Sequence, residues 1–114
     1  MRLMFATLIG ALAAVSAASA SASDATWGYI SYPYGTSNGA VLFNTDGVRG
    51  TPPSCSGTGL GARFAINAST LVGQSQLSVL MTAYSLHKRI SIHGTGTCSI
   101  WGDTETVDYF VVEN

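Results

Sequence analysis

The stretch RFAINASTLVGQSQLSVLMTAYSLHKRISIH, residues 63–93, decides the fold because it places one helix between two strands. Phe64 and Ile66 alternate with other residues at a period of two, which predicts a strand over residues 63–66. The same alternation, with isoleucines against Ser and His, predicts the next strand over residues 90–93. The segment between these two strands has a different period.

An apolar stripe at helical spacing runs through that middle segment. Its members fall at positions i, i+3, i+4 and i+7 and are Leu77, Leu80, Met81 and Tyr84. Ser69 or Thr70 supplies a side chain suited to cap the start of the helix. Gly73 allows the first turn to approach a strand closely. We therefore expect the stripe to plug a barrel or to pack on a sheet.

Three further segments of β type complete the pattern. Residues 27–32 and 40–44 precede the helix, and residues 106–112 follow it. Pro33 is expected to end the first strand, because proline has no N–H for the ladder. Residues 98–101 are expected to be extended. The order β-β-β-α-β-β is that of a mainly β, five-stranded OB-fold-like Greek-key barrel with one helix. The alternative is an open α+β sheet with the helix on one face.

The chain begins with the pattern of a secretory signal peptide, assigned to residues 1–22. A positive charge precedes an uncharged, mostly apolar run over residues 3–15, which is too short to span a bilayer. Small residues follow, and the Ala-x-Ala pattern permits cleavage after Ala20 or after Ala22. This pattern favours export over a retained membrane anchor. Residues 23–114 would then form one secreted or periplasmic binding domain.

Composition narrows the range of partners. The chain has five Lys and Arg residues against six Asp and Glu residues, and a formal net charge of −1. Such a balance argues against nucleic acid or anionic lipid as the main partner. Membrane insertion is not expected, because no segment beyond the signal peptide is long or apolar enough to cross a membrane. Only 10% of residues are charged, which for a small exported domain suggests that other subunits cover part of the surface.

Two cysteines, Cys55 and Cys98, lie in the exported part of the chain. An even pair in an oxidising compartment usually forms a disulfide. We therefore expect these two residues to be bonded to each other. No metal site is expected, because His87 and His93 do not show a recognised ligand spacing.

Catalytic chemistry is poorly represented in the sequence. No serine lies in a nucleophile elbow of the G-x-S-x-G type. Ser91 and His93 share a strand face, which is more typical of an exposed polar surface than of a catalytic dyad. Asp103 is expected to bind backbone N–H groups in a turn, and Glu105 to lead the last strand. No catalytic residue and no cofactor are expected.

Aromatic residues crowd the first strand and its exit: Trp27, Tyr29, Tyr32 and Tyr34. Alternation puts the first two on one face and the last two on the other. A barrel of this size has no room for all four inside. Exposed Tyr and Trp combine an apolar ring with a polar group, which suits sugar rings and protein partners. These four residues are the candidate ligand-binding residues.

Two stretches carry a resemblance to a known family. Residues 69–92, STLVGQSQLSVLMTAYSLHKRISI, resemble the helix and following strand of the B subunits of bacterial AB5 toxins, especially of the subtilase-cytotoxin type. Residues 94–112, GTGTCSIWGDTETVDYFVV, resemble a wider group of small exported bacterial proteins related to those subunits. The resemblance implies an OB-fold, a homopentameric ring, recognition of cell-surface glycans and a possible toxin A subunit as partner. The sequence departs from the family where Trp27-Gly28 replaces an expected Ser-Gly pair, and in its cysteine placement. No binding residue is therefore transferred from the family.

Two functional hypotheses follow. The first is a secreted, non-enzymatic binding module that recognises glycans as an oligomeric ring. The alternative is a small secreted enzyme or enzyme inhibitor that acts as a monomer. The scarcity of convergent histidine and acidic residues favours the first hypothesis.

Overall fold

The computed structural model describes Gly10 and residues 22–114, so that almost all of the predicted signal peptide lies outside the described residues. Within residues 22–114 there are five strands and one helix, in the predicted order β-β-β-α-β-β. They are β1 (Asp24–Gly35), β2 (Ala40–Thr45), β3 (Arg63–Asn67), α1 (Leu71–Ser85), β4 (Arg89–Gly94) and β5 (Glu105–Val112). The prediction of a mainly β domain with one helix is confirmed.

The five strands pair in a closed ring, in the order β1-β2-β3-β5-β4 and back to β1. Four of the five pairings are antiparallel. The fifth, between β3 and β5, is parallel and joins Phe64 to Glu105 and Ala65 to Thr106. Closure of the ring favours the barrel over the open sheet, because both edges of β1 are paired.

The core is formed by alternating apolar residues of the strands together with Leu80 and Ala83 of α1. The largest fully buried apolar side chains are Leu42, Phe43, Phe64, Ile66, Leu80, Ile90 and Ile92. The rings of Phe43 and Phe64 stack with centroids 6.3 Å apart. Because Phe64, Ile66, Ile90 and Ile92 are the residues whose spacing predicted β3 and β4, the period-two pattern identified the core correctly.

The helix begins where the sequence predicted. The Thr70 hydroxyl caps α1 by accepting a hydrogen bond from the Gly73 amide at 3.0 Å. A Cβ on Gly73 would lie 1.6 Å from the carbonyl oxygen of Asn67, the last residue of β3. Gly73 therefore brings the first turn of α1 into direct contact with the end of β3.

The buried face of α1 differs in part from the predicted stripe. Leu80 is fully buried, and Leu77 packs against the core. Met81 and Tyr84 are 38% and 44% exposed, so the prediction was wrong for these two residues. Ala83 takes their place on the buried face, because a small residue lets the helix lie close to the strands.

The first strand is longer than the sequence predicted. β1 continues past Pro33 to Gly35, with a shift in its register to β2 between Ser31 and Tyr34. Proline is tolerated at such an irregularity because no ladder hydrogen bond is required of it there. Residues 98–101 were predicted to be extended but form a loop, in which Trp101 makes one isolated bridge to Thr104.

The predicted disulfide between Cys55 and Cys98 is present. It ties the loop between β2 and β3 to the loop between β4 and β5, across a sequence separation of 43. A disulfide of this kind is typical of proteins outside the reducing cytoplasm. Within residues 22–114, no helix has the length and apolar character needed to cross a membrane.

Candidate functional site

All four aromatic residues predicted as ligand-binding candidates lie on the surface. Trp27, Tyr29 and Tyr34 are 44%, 37% and 45% exposed, and Tyr32 is 77% exposed. Ile30, between them, is buried in the core. β1 therefore contributes Ala25 and Ile30 to the core and presents its aromatic rings to solvent.

Two of these aromatic residues line a common cleft of about 140 Å³. We call it the tyrosine cleft; its lining residues are Tyr32, Tyr34, Asn44, Gly59, Leu60, Ala62 and Arg63. The cleft combines two phenol rings with an amide and a guanidinium group. A flat apolar surface beside several hydrogen-bonding groups is the usual composition of a small-molecule site.

Arg63 is held firmly at the edge of the tyrosine cleft. Its Nε donates to the Thr104 hydroxyl at 2.8 Å, and its Nη2 lies 2.7 Å from Oδ1 of Asp103. Its Nη1 donates to the Tyr34 hydroxyl at 3.2 Å. The guanidinium group thus fixes the phenol of Tyr34, and its charge is balanced by the carboxylate of Asp103.

The backbone explains why these residues meet. Asn44 at the end of β2 is paired with Ser31 of β1 on one side and with Arg63 of β3 on the other. Just beyond Ser31 the register of β1 shifts, and Tyr32 adopts a φ of +49°. Such a conformation is uncommon for a bulky side chain, and unfavourable backbone conformations cluster at ligand sites.

The other two aromatic candidates lie outside the tyrosine cleft. The ring of Tyr29 stacks on the imidazole of His87, with centroids 4.1 Å apart and planes 7° apart. The Tyr29 amide donates to Oδ1 of Asp46 at 2.6 Å. Trp27 is exposed but does not line the cleft. The structure therefore divides the four aromatic residues instead of gathering them into one site.

A second group of polar residues is buried, and the sequence did not reveal it. Glu105 is fully buried, and its Oε1 lies 2.6 Å from Nη2 of Arg49. The amides of Ser23 and Gly96 donate to its Oε2 at 3.1 and 2.8 Å. Burial by itself raises the pKa of Glu105, but the hydrogen bonds from Ser23, Arg49 and Gly96 outweigh this effect and lower the pKa.

Glu105 begins β5, as predicted, but the role expected for Asp103 was wrong. Its carboxylate binds the Arg63 side chain and the Thr104 hydroxyl instead of backbone N–H groups. The carbonyl of Asp103 does accept a hydrogen bond, from the amide of Gly57 at 2.9 Å. Arg63 offers this carboxylate a charged partner, and hydrogen bonds between charged groups are stronger than those to a neutral amide.

The histidine of β4 also has partners. Nδ1 of His93 lies 2.9 Å from Oδ1 of Asp24, and its ring stacks on Tyr109 with centroids 4.3 Å apart. The Ser91 hydroxyl donates to the carbonyl of Ala25 at 3.3 Å. Ser91 and His93 therefore bind other groups and do not form a hydrogen-bonded pair. Among residues 22–114, no three His, Cys, Asp or Glu side chains cluster as metal ligands would.

An apolar surface lies on another side of the molecule, between α1 and β5. We call it the α1–β5 face and define it by Val79, Leu86, Tyr109, Phe110 and Val112. It contains two shallow cavities of about 350 and 210 Å³. Val79, Leu86 and Tyr109 are 48%, 65% and 50% exposed.

No match was found when the chain was compared with known protein families, with curated proteins and with solved structures. The features of the chain that bear on function are therefore the tyrosine cleft and the α1–β5 face.

Asn44 and Arg63 are the cleft residues that sequence reasoning missed. A signal for both was available, because each lies at the end of a predicted strand, where neighbouring strands bring their ends together. For Arg49 and Glu105 no comparable signal exists. Their side chains meet across a separation of 56 residues.

Proposed function

We propose that this chain is a secreted, non-enzymatic OB-fold binding module that recognises glycans and does so as an oligomeric ring. The observation that carries the proposal is the tyrosine cleft, in which Tyr32 and Tyr34 stand beside Asn44 and Arg63. The closed ring of five strands, with a helix between the third and fourth, supports the OB-fold.

The chemistry of the cleft suits a sugar ring. One face of a pyranose presents C–H groups, which pack on an aromatic ring, while its hydroxyls need donors and acceptors at the rim. Tyr32 offers a freely accessible ring at 77% exposure. Asn44 supplies both an amide donor and a carbonyl acceptor, and the Tyr34 hydroxyl is already oriented by Arg63.

Charge balance at the cleft favours a neutral sugar. The guanidinium group of Arg63 is paired with Asp103 at 2.7 Å, so an incoming carboxylate or sulfate would compete with a carboxylate already in place. An uncharged hydroxyl can accept or donate a hydrogen bond without breaking that pair.

The α1–β5 face supports self-association. Val79, Leu86 and Tyr109 are 48–65% exposed and lie beside the partly buried Phe110 and Val112. An exposed apolar patch of this kind is typical of surfaces covered by another protein. β5 pairs with β3 only at Glu105 and Thr106. On that side of β5, residues 107–112 have no strand partner within the described part of the chain, and only the Asp108 carbonyl is seen to accept a hydrogen bond from α1, from Nε2 of Gln76 at 2.9 Å. The rest of such a strand edge can pair with another chain. A ring would also offer a platform for a separate A subunit.

A glycan array probed with the exported protein tests the proposal directly. The Tyr32→Ala variant should bind about tenfold more weakly than the wild type. A tenfold loss corresponds to about 1.4 kcal/mol, which is near the upper end of the free energy of one aromatic contact. The control is Tyr84→Ala on α1, because Tyr84 is also an exposed tyrosine but lies outside the tyrosine cleft.

Two outcomes would contradict the proposal. One is a confirmed oligomer that binds no glycan on the array, which would leave an interaction with protein partners. The other is a strict monomer whose binding is unchanged by Tyr32→Ala, which would favour the enzyme or inhibitor hypothesis.

A further inference from the structure

Ser23 is buried between two exposed neighbours, Ala22 and Asp24. Ala22 is exposed, whereas Ser23 is only 3% exposed. The amide nitrogen of Ser23 lies 3.1 Å from Oε2 of Glu105, and its hydroxyl donates to Oε1 of the same carboxylate. That hydroxyl also accepts from Nε of Arg49 at 3.0 Å, and the carbonyl of Ser23 accepts from the amide of Gly94 at 2.9 Å.

The nitrogen of Ser23 is thus directed at a buried negative charge. A peptide N–H offers Glu105 one neutral hydrogen bond. An α-ammonium group at the same position would offer a charge-assisted hydrogen bond, which is about twice as strong. It would also have two N–H groups left, one of which takes the place of the bond to the exposed Ala22.

We propose that the signal peptide is cut between Ala22 and Ser23, and that the buried carboxylate of Glu105 holds the new α-amino group of Ser23. This resolves the two cleavage positions that the sequence permits in favour of the second. Hydrolysis of the Ala22–Ser23 peptide bond consumes one water molecule and leaves the carboxylate on Ala22 and the amino group on Ser23. The proposal requires export of the chain but does not depend on glycan binding.

Processing then completes the folded domain. The uncut precursor has only a peptide N–H at Ser23. Before export it is also in a reducing environment, which opposes the disulfide between Cys55 and Cys98. The exported protein gains the disulfide and the ion pair between the α-amino group of Ser23 and Glu105. The domain therefore reaches its full stability only after it has left the cytoplasm.

The experiment uses the full chain, expressed in a bacterium that exports it. The intact mass of the purified protein should correspond to a chain that begins at Ser23. Reductive methylation near neutral pH, followed by peptide mass spectrometry, then reports the accessibility of the α-amine. Lys88 is the other amine in residues 23–114 and serves as an internal reference. The α-amine should label about tenfold more slowly in the folded protein than in denaturant.

Ala22→Gln provides the matched control. A large residue at the last position of the leader blocks the second cleavage position and moves the cut to Ala20. Residue 22 is exposed in the structure, so the fold should tolerate the change. The amine, now at Ser21, should label as fast as in denaturant. Ala18→Gln blocks the first position instead and should leave the wild-type product unchanged.

The outcomes are distinct from those of the glycan array. A purified protein that begins at Ser21, or that keeps its leader, overturns the cleavage assignment. A protein that begins at Ser23 but whose α-amine labels as fast as that of Ala22→Gln overturns the ion pair with Glu105.

Discussion

A buried carboxylate is costly unless every lone pair has a partner, and Glu105 shows how a small domain meets this requirement. Arg49 supplies a charge at 2.6 Å, and backbone amides supply further hydrogen bonds. The guanidinium group also lies over the ring of Phe64, with its carbon 4.1 Å from the ring centroid. The cluster thus joins β5 to the loop after β2 through charge as well as packing.

The stability of the domain should fall in acid because of Glu105. Hydrogen bonds depress its pKa below the ordinary value of about 4.3. A carboxylate whose pKa is lower in the folded protein than in the unfolded chain stabilises the fold at pH values above the unfolded pKa. This stabilisation is lost as the pH falls through the lower, folded pKa. The free energy of unfolding, measured by urea denaturation from neutral pH to strong acid, should show this loss. In Glu105→Gln the contribution of Glu105 to the loss should be absent.

At neutral pH, Glu105→Gln should cost about 3–5 kcal/mol, because it leaves Arg49 as a buried charge without a partner. Glu113→Gln is the control. Glu113 also pairs with an arginine, Arg89, but both side chains are partly exposed, and solvent screens such pairs. Equal free energies of unfolding for the two variants would contradict the structural role assigned to Glu105.

At the scale of elements, the helix α1 contacts the barrel through few buried residues. It packs against β3 and β1, and its buried positions are Gly73, Leu80 and Ala83. Two of these three are small, so Leu80, with the partly buried Leu77 beside it, carries most of the apolar burial between the helix and the barrel. The stability of this contact should therefore depend strongly on Leu80.

Leu80→Ala should lower the free energy of unfolding by about 2–5 kcal/mol, since it opens a cavity at a fully buried position. Met81→Ala is the neighbouring control. Met81 is 38% exposed, and its truncation should cost less than about 1 kcal/mol. Chemical denaturation of both variants measures the difference. A cost below about half a kcal/mol for Leu80→Ala would place that face of α1 on the surface.

The elements themselves were predictable because their signals are local. Period-two alternation located β3 and β4, and a hydroxyl before an apolar run located the start of α1. The extension of β1 beyond Pro33 was not predictable, since it depends on how β1 pairs with β2. The exposure of Met81 and Tyr84 was missed for a similar reason: helical spacing defines a face, but the neighbouring strands decide how wide a part of it is buried.

The candidate site was predictable only in part. Aromatic crowding identified the exposed surface of β1, but Asn44 and Arg63 join Tyr32 and Tyr34 through pairing between three strands. Composition cannot show which aromatic rings share a cleft. The stacking of Tyr29 on His87, for example, depends on where the turn after α1 returns to the barrel.

At the scale of the whole molecule, the disulfide closes two long loops onto each other. Cys98→Ser should cost about 2–5 kcal/mol, because the cross-link between positions 43 apart in sequence restricts the unfolded chain. The melting temperature of the variant, compared with that of the wild type under reducing and oxidising conditions, measures the effect. Identical melting in all four samples would show that the cross-link contributes nothing to stability.

The α1–β5 face should hold the proposed ring together. A lysine placed there would have to bury its charge against apolar residues of the next subunit. Leu86→Lys and Val79→Lys should therefore convert the oligomer into monomers, as measured by native mass spectrometry. Leu71→Lys is the matched control, since Leu71 is 83% exposed but does not line the cavities of this face.

Dissociation of the ring should also weaken glycan binding to a surface, even though the tyrosine cleft is left unchanged. Several weak sites on one rigid assembly gain avidity of roughly 10²–10⁴ over a single site. The Leu86→Lys monomer should thus lose binding to an immobilised glycan while its affinity for the free sugar stays that of one subunit. A monomer that retains full surface binding would show that one cleft suffices and that the ring is not needed for recognition.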